Sequence, residues 1–197
     1  MAAKSLKQLR AMQDNIILPD DSTRPKAPKI PGVSVSQRRQ GRRLALFHEM
    51  HLRELSKVRR AMAGVFAGQG SAQELLVTIS SMQMFGNMRQ FGNLCGAACD
   101  MLTGHHMIED QYVFPALHGK TVGLNKVVER LRAEHLVIHE LLARLEAAAK
   151  ALMQAPGAEA ARELRGEFAR LEAFVVSHFG YEQAELEEAL GWYEIGI

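Results

Sequence analysis

The sequence has little cysteine, no long apolar run and no segment with the alternating pattern of a strand. Its only cysteines, Cys95 and Cys99, lie four residues apart in a predicted helix, so we expect reduced core thiols, with a redox switch as the alternative. No apolar run is long enough to span a membrane, and the basic start lacks the apolar stretch of a signal peptide. We therefore expect a cytoplasmic globular protein with no membrane partner, and its 197 residues suffice for one domain with a good core.

Positive charge and proline are concentrated near the N-terminus. Residues 1–43 carry ten Lys or Arg and three Asp, a net charge of +7, whereas the remainder carries 14 bases and 19 acids, a net charge of −5. Four of the six prolines fall between residues 19 and 31, which predicts an extended segment. We therefore divide the chain into a basic, Pro-rich N-terminal arm (1–33) and a folded domain (34–197). The arm has no aromatic residues to stack on bases, so we expect it to dock on the acidic domain or on a second subunit rather than on nucleic acid.

Beyond the arm, apolar residues recur with helical periodicity in four long segments. Their short connections favour an all-α fold, an up-down-up-down antiparallel four-helix bundle with an N-terminal extension. The expected inward faces include Phe47 in the first helix and both Ile108 and Tyr112 in the second, which Pro115 should bend. The first half of the second helix exceeds what a bundle needs, and a lid, an extra packing surface or a homodimer contact are its alternative uses. The predicted helices are Ser36–Ala67, Ser71–Leu117, Leu124–Met153 and Ala158–Leu190.

Five histidines and two glutamates fall at inward-facing positions near the middle of these helices. Three pairs among them are spaced i, i+4, which places both side chains on one face of a helix. A single histidine on an apolar face is usually a core residue, but burying seven such groups without a compensating charge would be very costly. Imidazole and carboxylate together suit iron, zinc, copper or manganese. The predicted metal ligands are His48, His105, Glu109, His135, His139, His178 and Glu182.

These blocks resemble the hemerythrin-like proteins of the HHE cation-binding family, in the form that bacterial members often show. The resemblance covers about residues 36–190, and the wording HHMIED followed by FPAL is its most characteristic part. It implies a non-haem centre of two iron ions joined by an oxo or hydroxo bridge. One iron would be held by His135, His139 and His178 and the other by His48 and His105. Glu109 and Glu182 would bridge them, leaving a position for dioxygen, hydrogen peroxide or nitric oxide.

One departure from the family bears on function. The oxygen carriers of the family place an Asp five residues after the last histidine, whereas this chain has Gln183 there and Glu182 one residue earlier. Reversible oxygen carriage is therefore not assumed. Our leading hypothesis is peroxide scavenging of a catalase-like kind, or oxygen binding, in the response to oxidative stress. The alternatives are an oxygen- or iron-sensing or storage module and a biosynthetic di-iron oxidase acting on a small organic substrate, so whether the protein is an enzyme stays open.

Several further residues lie near the predicted ligands. His51 is one turn from His48 and is expected beside the ligands or at the surface, with direct ligation as the alternative. Tyr112 and Tyr181 fall near the two glutamates, where each would either donate a hydrogen bond to a ligand or pack. His106 points about 100° away from His105 around the helix, so we expect it at the surface or in an interface. An exposed position is expected for His118 at a helix end.

Overall fold

The computed structural model describes residues 16–67 and 97–196, and both ranges are helical without a strand in either. This confirms the predicted all-helical class. Within these ranges no helix combines the length and the apolar character needed to cross a bilayer. Because residues 68–96 lie outside these ranges, the helix predicted to begin at Ser71 is described only from residue 97, and Cys95 is not among the described residues. The elements are α1 (Val35–Gly41), α2 (Arg43–Ala67), α3 (Ala97–Ile108), a π-helical turn (Glu109–Val113), α4 (Phe114–Leu117), α5 (Val122–Gln154) and α6 (Ala158–Trp192).

A break at Arg42 separates α1 from α2, where the sequence predicted one continuous helix. Helix α1 begins with a capping box: the Ser34 hydroxyl accepts from the Gln37 N–H, and the Gln37 side-chain oxygen accepts from the Ser34 N–H. Arg42 is the C-cap of α1, and its N–H bonds to the carbonyl of Arg38. Helix α2 then begins at Arg43. The single predicted helix is therefore two, and both of them pack against α6.

Helix α1 crosses α6 with the two backbones in direct contact. A Cβ added to Gly41 would overlap the backbone of Glu187, and a Cβ added to Gly191 would overlap the backbone of Gln37. Only glycine fits at such an approach. Ion pairs flank the crossing, since Arg42 reaches Glu187 at 2.9 Å and Arg38 reaches Glu188.

The helix that carries His105 changes its winding immediately afterwards. The Phe114 N–H bonds to the carbonyl of Glu109, five residues back, so the turn contains one residue more than an α-helical turn. Pro115 has no N–H to donate and stands at the start of α4. Arg132 from α5 donates to the carbonyl of Asp110 at 2.8 Å and so satisfies a backbone oxygen of the irregular turn.

The two long helices, α5 and α6, supply most of the core. Thr121 caps α5 by accepting from the Leu124 N–H at 3.0 Å. Buried apolar side chains form two clusters, one including Leu55, Ile138 and Val175 and the other including Leu44, Leu131 and Leu186. On each of α2, α5 and α6 the buried histidines lie in sequence between members of the two clusters. The fold therefore places a layer of ionisable groups between two apolar clusters.

The N-terminal segment from residue 16 to residue 33 is extended and lies against the helices. Two of its backbone N–H groups bond to acids of α6, Ala27 to Glu185 at 2.6 Å and Ile30 to Glu188 at 3.4 Å. Ala27 and Ile30 also contact the cluster that contains Leu44. The described part of the arm thus docks on an acidic face of the folded domain. The division of the chain at residue 34 stays a prediction.

Three residues expected to face inward are exposed instead. Phe47 is 38% exposed, Ile108 54% and Tyr112 68%. In α3 the inward face is centred between His105 and His106, both of which are buried. Ile108 and Tyr112 lie to one side of that face, so the prediction that they face inward was wrong.

Candidate metal centre

Three helices and the π-helical turn each bring one ligand-type side chain to a common point. His48 from α2, His105 from α3, Glu109 from the turn and Glu182 from α6 are buried, and one donor atom of each lies within 4.8 Å of the others. The Nε2 atoms of His48 and His105 are 3.1 Å apart. His105 Nε2 lies 3.1 Å from Glu109 Oε1, and His48 Nε2 lies 3.3 Å from Glu182 Oε2. We call these four residues the first group.

A second group consists of three buried histidines, His106, His135 and His178, which meet the same 4.8 Å criterion. The rings of His106 and His135 stack with centroids 4.0 Å apart. The ring of His139 lies 5.5 Å from that of His106 and is half-buried, and its Nε2 has no hydrogen-bond partner. His139 therefore borders the second group without belonging to it.

The two glutamates connect the groups. Glu109 directs its Oε1 to His105 of the first group and its Oε2 to His135 of the second, at 3.1 and 3.5 Å. Oε2 of Glu182 lies 3.3 Å from His48 and 3.7 Å from His178. Each carboxylate thus stands between two histidines from different groups, which is the arrangement needed to share a carboxylate between two cations.

Many donor atoms of this layer have no hydrogen-bond partner. Burial lowers the pKa of His105 to about 3 and that of His106 well below its ordinary range. Burial, and then the negative charge of Glu182, raises the pKa of Glu109. Neutral imidazoles and carboxylates without partners fit bound cations, because cations supply the missing partners. The unpartnered atoms are both ring nitrogens of His106, both carboxylate oxygens of Glu109 and Glu182, and Nε2 of His135, His139 and His178.

Residues 42–190 match the sequence model of the hemerythrin HHE cation binding domain, which is more than half of the chain. The chain belongs to the hemerythrin HHE family. The match spans every residue of both groups and confirms the resemblance inferred from the motifs. Comparisons with curated proteins and with solved structures gave no match. The cation binding in the family's description agrees with the unpartnered histidine and glutamate atoms, so this HHE domain has the donor set of a metal-binding protein.

The π-helical turn of this HHE domain sets the register of the residues that follow Glu109. A π turn inserts an extra residue, which shifts the register of the residues after it, and such turns are frequent at functional sites. Glu109 is its first residue, and beyond it both Val113 and Phe114 enter the core. The sequence predicted a bend at Pro115 but not this insertion.

Three of the histidines have a polar partner on the ring nitrogen that faces away from the groups. Gln183 Nε2 lies 2.7 Å from His48 Nδ1, Glu134 Oε2 lies 3.1 Å from His178 Nδ1, and Asp110 Oδ2 lies 3.2 Å from His135 Nδ1. Partners of this kind fix the tautomer and orientation of a metal-ligating histidine. Gln183 occupies the position where the oxygen carriers have an Asp. Its amide can present either nitrogen or oxygen to His48, unlike a carboxylate.

Glu134 is the most strongly held of these partners. Burial acts to raise its pKa, but hydrogen bonds from His178, Arg24 and Arg130 hold the pKa at about 2. It is therefore ionised at neutral pH and accepts from the Nδ1 of His178. The Nε2 of His178 then keeps its lone pair for a cation.

The structure bears on the expectations for five neighbouring residues. His106 is fully buried in the second group, so the prediction of a surface position was wrong. Tyr112 is exposed, and the Tyr181 hydroxyl donates to the carbonyl of Pro25 at 2.7 Å instead of to a ligand. His51 is buried with its ring 5.0 Å from that of His105, beside the first group. His118 is exposed, as expected.

Sequence reasoning missed three residues that hold the histidines in place. Asp110 follows Glu109 directly in HHMIED, and Glu134 directly precedes His135, so an acid next to a ligand was an available signal for both. Arg24 lies in the arm, far from every motif, and nothing in the sequence marks it.

Proposed function

We propose that this HHE domain holds two iron ions and reacts with hydrogen peroxide, dioxygen or nitric oxide, with disproportionation of peroxide as its main activity. The ligands would be the first group (His48, His105, Glu109 and Glu182) for one iron and His135, His139 and His178 for the other. The helices would form the up-down-up-down four-helix bundle of the family, in a cytoplasmic protein.

The observation that supports this proposal best is the position of Glu109. Its two oxygens face histidines of different groups and have no hydrogen-bond partner. One cation would leave one of these oxygens without compensation, whereas two cations use both. The donor set of imidazole and carboxylate suits iron, and two irons supply the two electrons that peroxide chemistry exchanges. The net reaction converts two molecules of hydrogen peroxide into two of water and one of dioxygen.

The residues themselves would position the centre and restrict access to it. Glu109 and Glu182 would set the separation of the cations, and Glu134 and Gln183 would orient His178 and His48. The ligand side chains in the two groups are at most 9% exposed, so only a small molecule would reach the donor atoms. Burial also lowers the pKa of His105 and so keeps its imidazole neutral and able to bind a cation at neutral pH.

The proposal is tested by metal analysis of protein produced with added iron, followed by a pulse of hydrogen peroxide with detection of oxygen. We expect about two irons per chain and oxygen release at half the rate of peroxide loss. Two irons without oxygen release would leave oxygen binding, sensing or oxidation of another substrate as the function. Zinc alone, or no metal, would contradict the proposal.

His106 provides a sharper test of the ligand set. It is fully buried, and neither of its ring nitrogens has a partner. We propose that it adds a fourth histidine to the second cation, beside His135, His139 and His178. His106→Ala should weaken binding of that cation about tenfold or more, measured by competition with a chelator, while His118→Ala, at an exposed position, should change nothing. Full metal content and an unchanged visible spectrum in the His106 variant would exclude this role.

A further inference from the structure

Arg24 is a buried arginine in the N-terminal segment, outside the residues that match the family. It is 4% exposed, whereas Lys26, two residues later, has a side chain that is 64% exposed. Burying a guanidinium is costly unless its charge and its donors are compensated. The contacts of Arg24 therefore indicate what this position does.

The guanidinium of Arg24 donates hydrogen bonds to three residues, Glu134, Ser177 and Asp21. Its Nε donates to Glu134 Oε1 at 2.9 Å and its Nη2 to Glu134 Oε2 at 2.8 Å, a two-pronged pair. Its Nη1 donates to the carbonyl and hydroxyl of Ser177 at 3.2 and 3.0 Å, and to Asp21 at 2.7 Å. The guanidinium also lies over the ring of Tyr181, 4.6 Å from the centroid. The position of Arg24 is thus fixed from both the arm and α6.

The same carboxylate contacts the second group. Glu134 is 2% exposed, and its Oε2, which accepts from Arg24, also lies 3.1 Å from Nδ1 of His178. Arg130 donates to the other oxygen at 2.7 Å. A continuous path of hydrogen bonds therefore leads from the arm through Glu134 to His178.

Resting on the proposed function, we infer that Arg24 is a positioning residue for the metal centre. It holds Glu134 so that His178 keeps its proton on Nδ1 and presents Nε2 to the cation. The arm, which the family match does not include, thereby becomes part of the site. Arg130 alone cannot replace it, because Arg130 bonds only the oxygen that does not face His178.

The variant Arg24→Gln tests this inference, and Lys26→Gln is the matched control. Lys26 pairs with Glu185 on α6 at 3.2 Å but has no contact with Glu134. Nitrogen NMR of metal-free protein labelled in histidine reports the tautomer of His178, which H178Q assigns. We expect one tautomer in the wild type and in the control, and a mixture in the Arg24 variant. Affinity for cobalt(II), used as a coloured probe, should fall about 10- to 100-fold only in the Arg24 variant.

Two further variants keep the test interpretable if the glutamine variant folds poorly. Arg24→Lys keeps the charge but cannot make the two-pronged pair, so it should restore affinity only in part. Ser177→Ala removes one acceptor of Arg24 and should give a smaller change of the same direction. A tautomer and a cobalt affinity unchanged in every Arg24 variant, even with a lower melting temperature, would overturn the inference. Neither measurement uses peroxide, so failed peroxide turnover in the wild type would contradict the proposed function alone.

Discussion

Replacing Glu109 by glutamine is expected to empty both proposed cation positions. The carboxylate faces His105 and His135 with separate oxygens, so under the proposed assignment the substitution would remove a charged ligand from each position at once. Loss of a hydrogen-bond partner outside the ligands already costs about 10- to 100-fold in metal affinity, and loss of a shared ligand should cost more. The measurement is metal content after dialysis, with affinity by chelator competition. Glu167→Gln is the control, since Glu167 is a buried acid of α6 with an unpartnered oxygen.

The same substitution should stabilise the metal-free protein. The pKa of Glu109 is raised above its ordinary value by burial and by Glu182, so the folded state disfavours its ionised form. The stability associated with its protonated form is present at low pH and lost as the pH rises through the raised pKa. Metal-free Glu109→Gln has no carboxyl group to ionise at this position and so does not lose stability as the pH rises. Its melting temperature should exceed that of the wild type at neutral pH, and the two should become similar in acid. A variant that keeps two cations, or whose metal-free form is less stable at neutral pH, would contradict the assignment of Glu109.

Replacing Gly191 by alanine should be among the most destabilising small substitutions in the described helices. The added Cβ would overlap the backbone of Gln37, and neither backbone can rotate away as a side chain would. Helices α1 and α6 would have to separate, which we expect to cost about 3 kcal/mol. Urea unfolding followed by circular dichroism measures the loss.

Gly180→Ala is the matched control in the same helix. Nothing lies within 4 Å of the Cβ position at Gly180, and the residue is exposed. Because alanine favours the helix more than glycine, this variant should gain up to about 1 kcal/mol. Equal effects at Gly180 and Gly191 would show that helix propensity, rather than the contact with α1, decides the result. Gly41→Ala should behave like Gly191→Ala, since it meets α6 at the same crossing.

The helices and most of the candidate ligands followed from sequence because both depend on local spacing. Helices α5 and α6 begin and end within two residues of the predicted bounds, where Thr121 and Pro156 give local signals. The i, i+4 pairs placed Glu109 with His105 and Glu182 with His178, and the structure has both pairs. The metal-ligand roles of these residues remain predictions.

The features that escaped prediction depend on contacts between distant segments. The break at Arg42 accompanies the glycine contact between α1 and α6, which no local pattern reveals. The π turn adds one residue after α3, and in α3 itself the inward face includes His106 in place of Ile108. Arg24 contacts Glu134, which is 110 positions away in the sequence. Because Arg24 is one of many basic residues in its segment, the sequence gives no signal of that contact.

The layer of ionisable groups between the two apolar clusters affects how the molecule unfolds. Each cluster excludes water on its own, but in the metal-free state they meet across imidazoles and carboxylates that lack partners. We expect such a boundary to lower the cooperativity between the two halves, so that each half would open separately in a hydrogen-exchange measurement. Cations shared through Glu109 and Glu182 would join side chains from α2, α3, α5 and α6 at that boundary. Loading with metal would thereby convert two weakly coupled halves into a single cooperative unit, and the metal supply would set how often the protein opens.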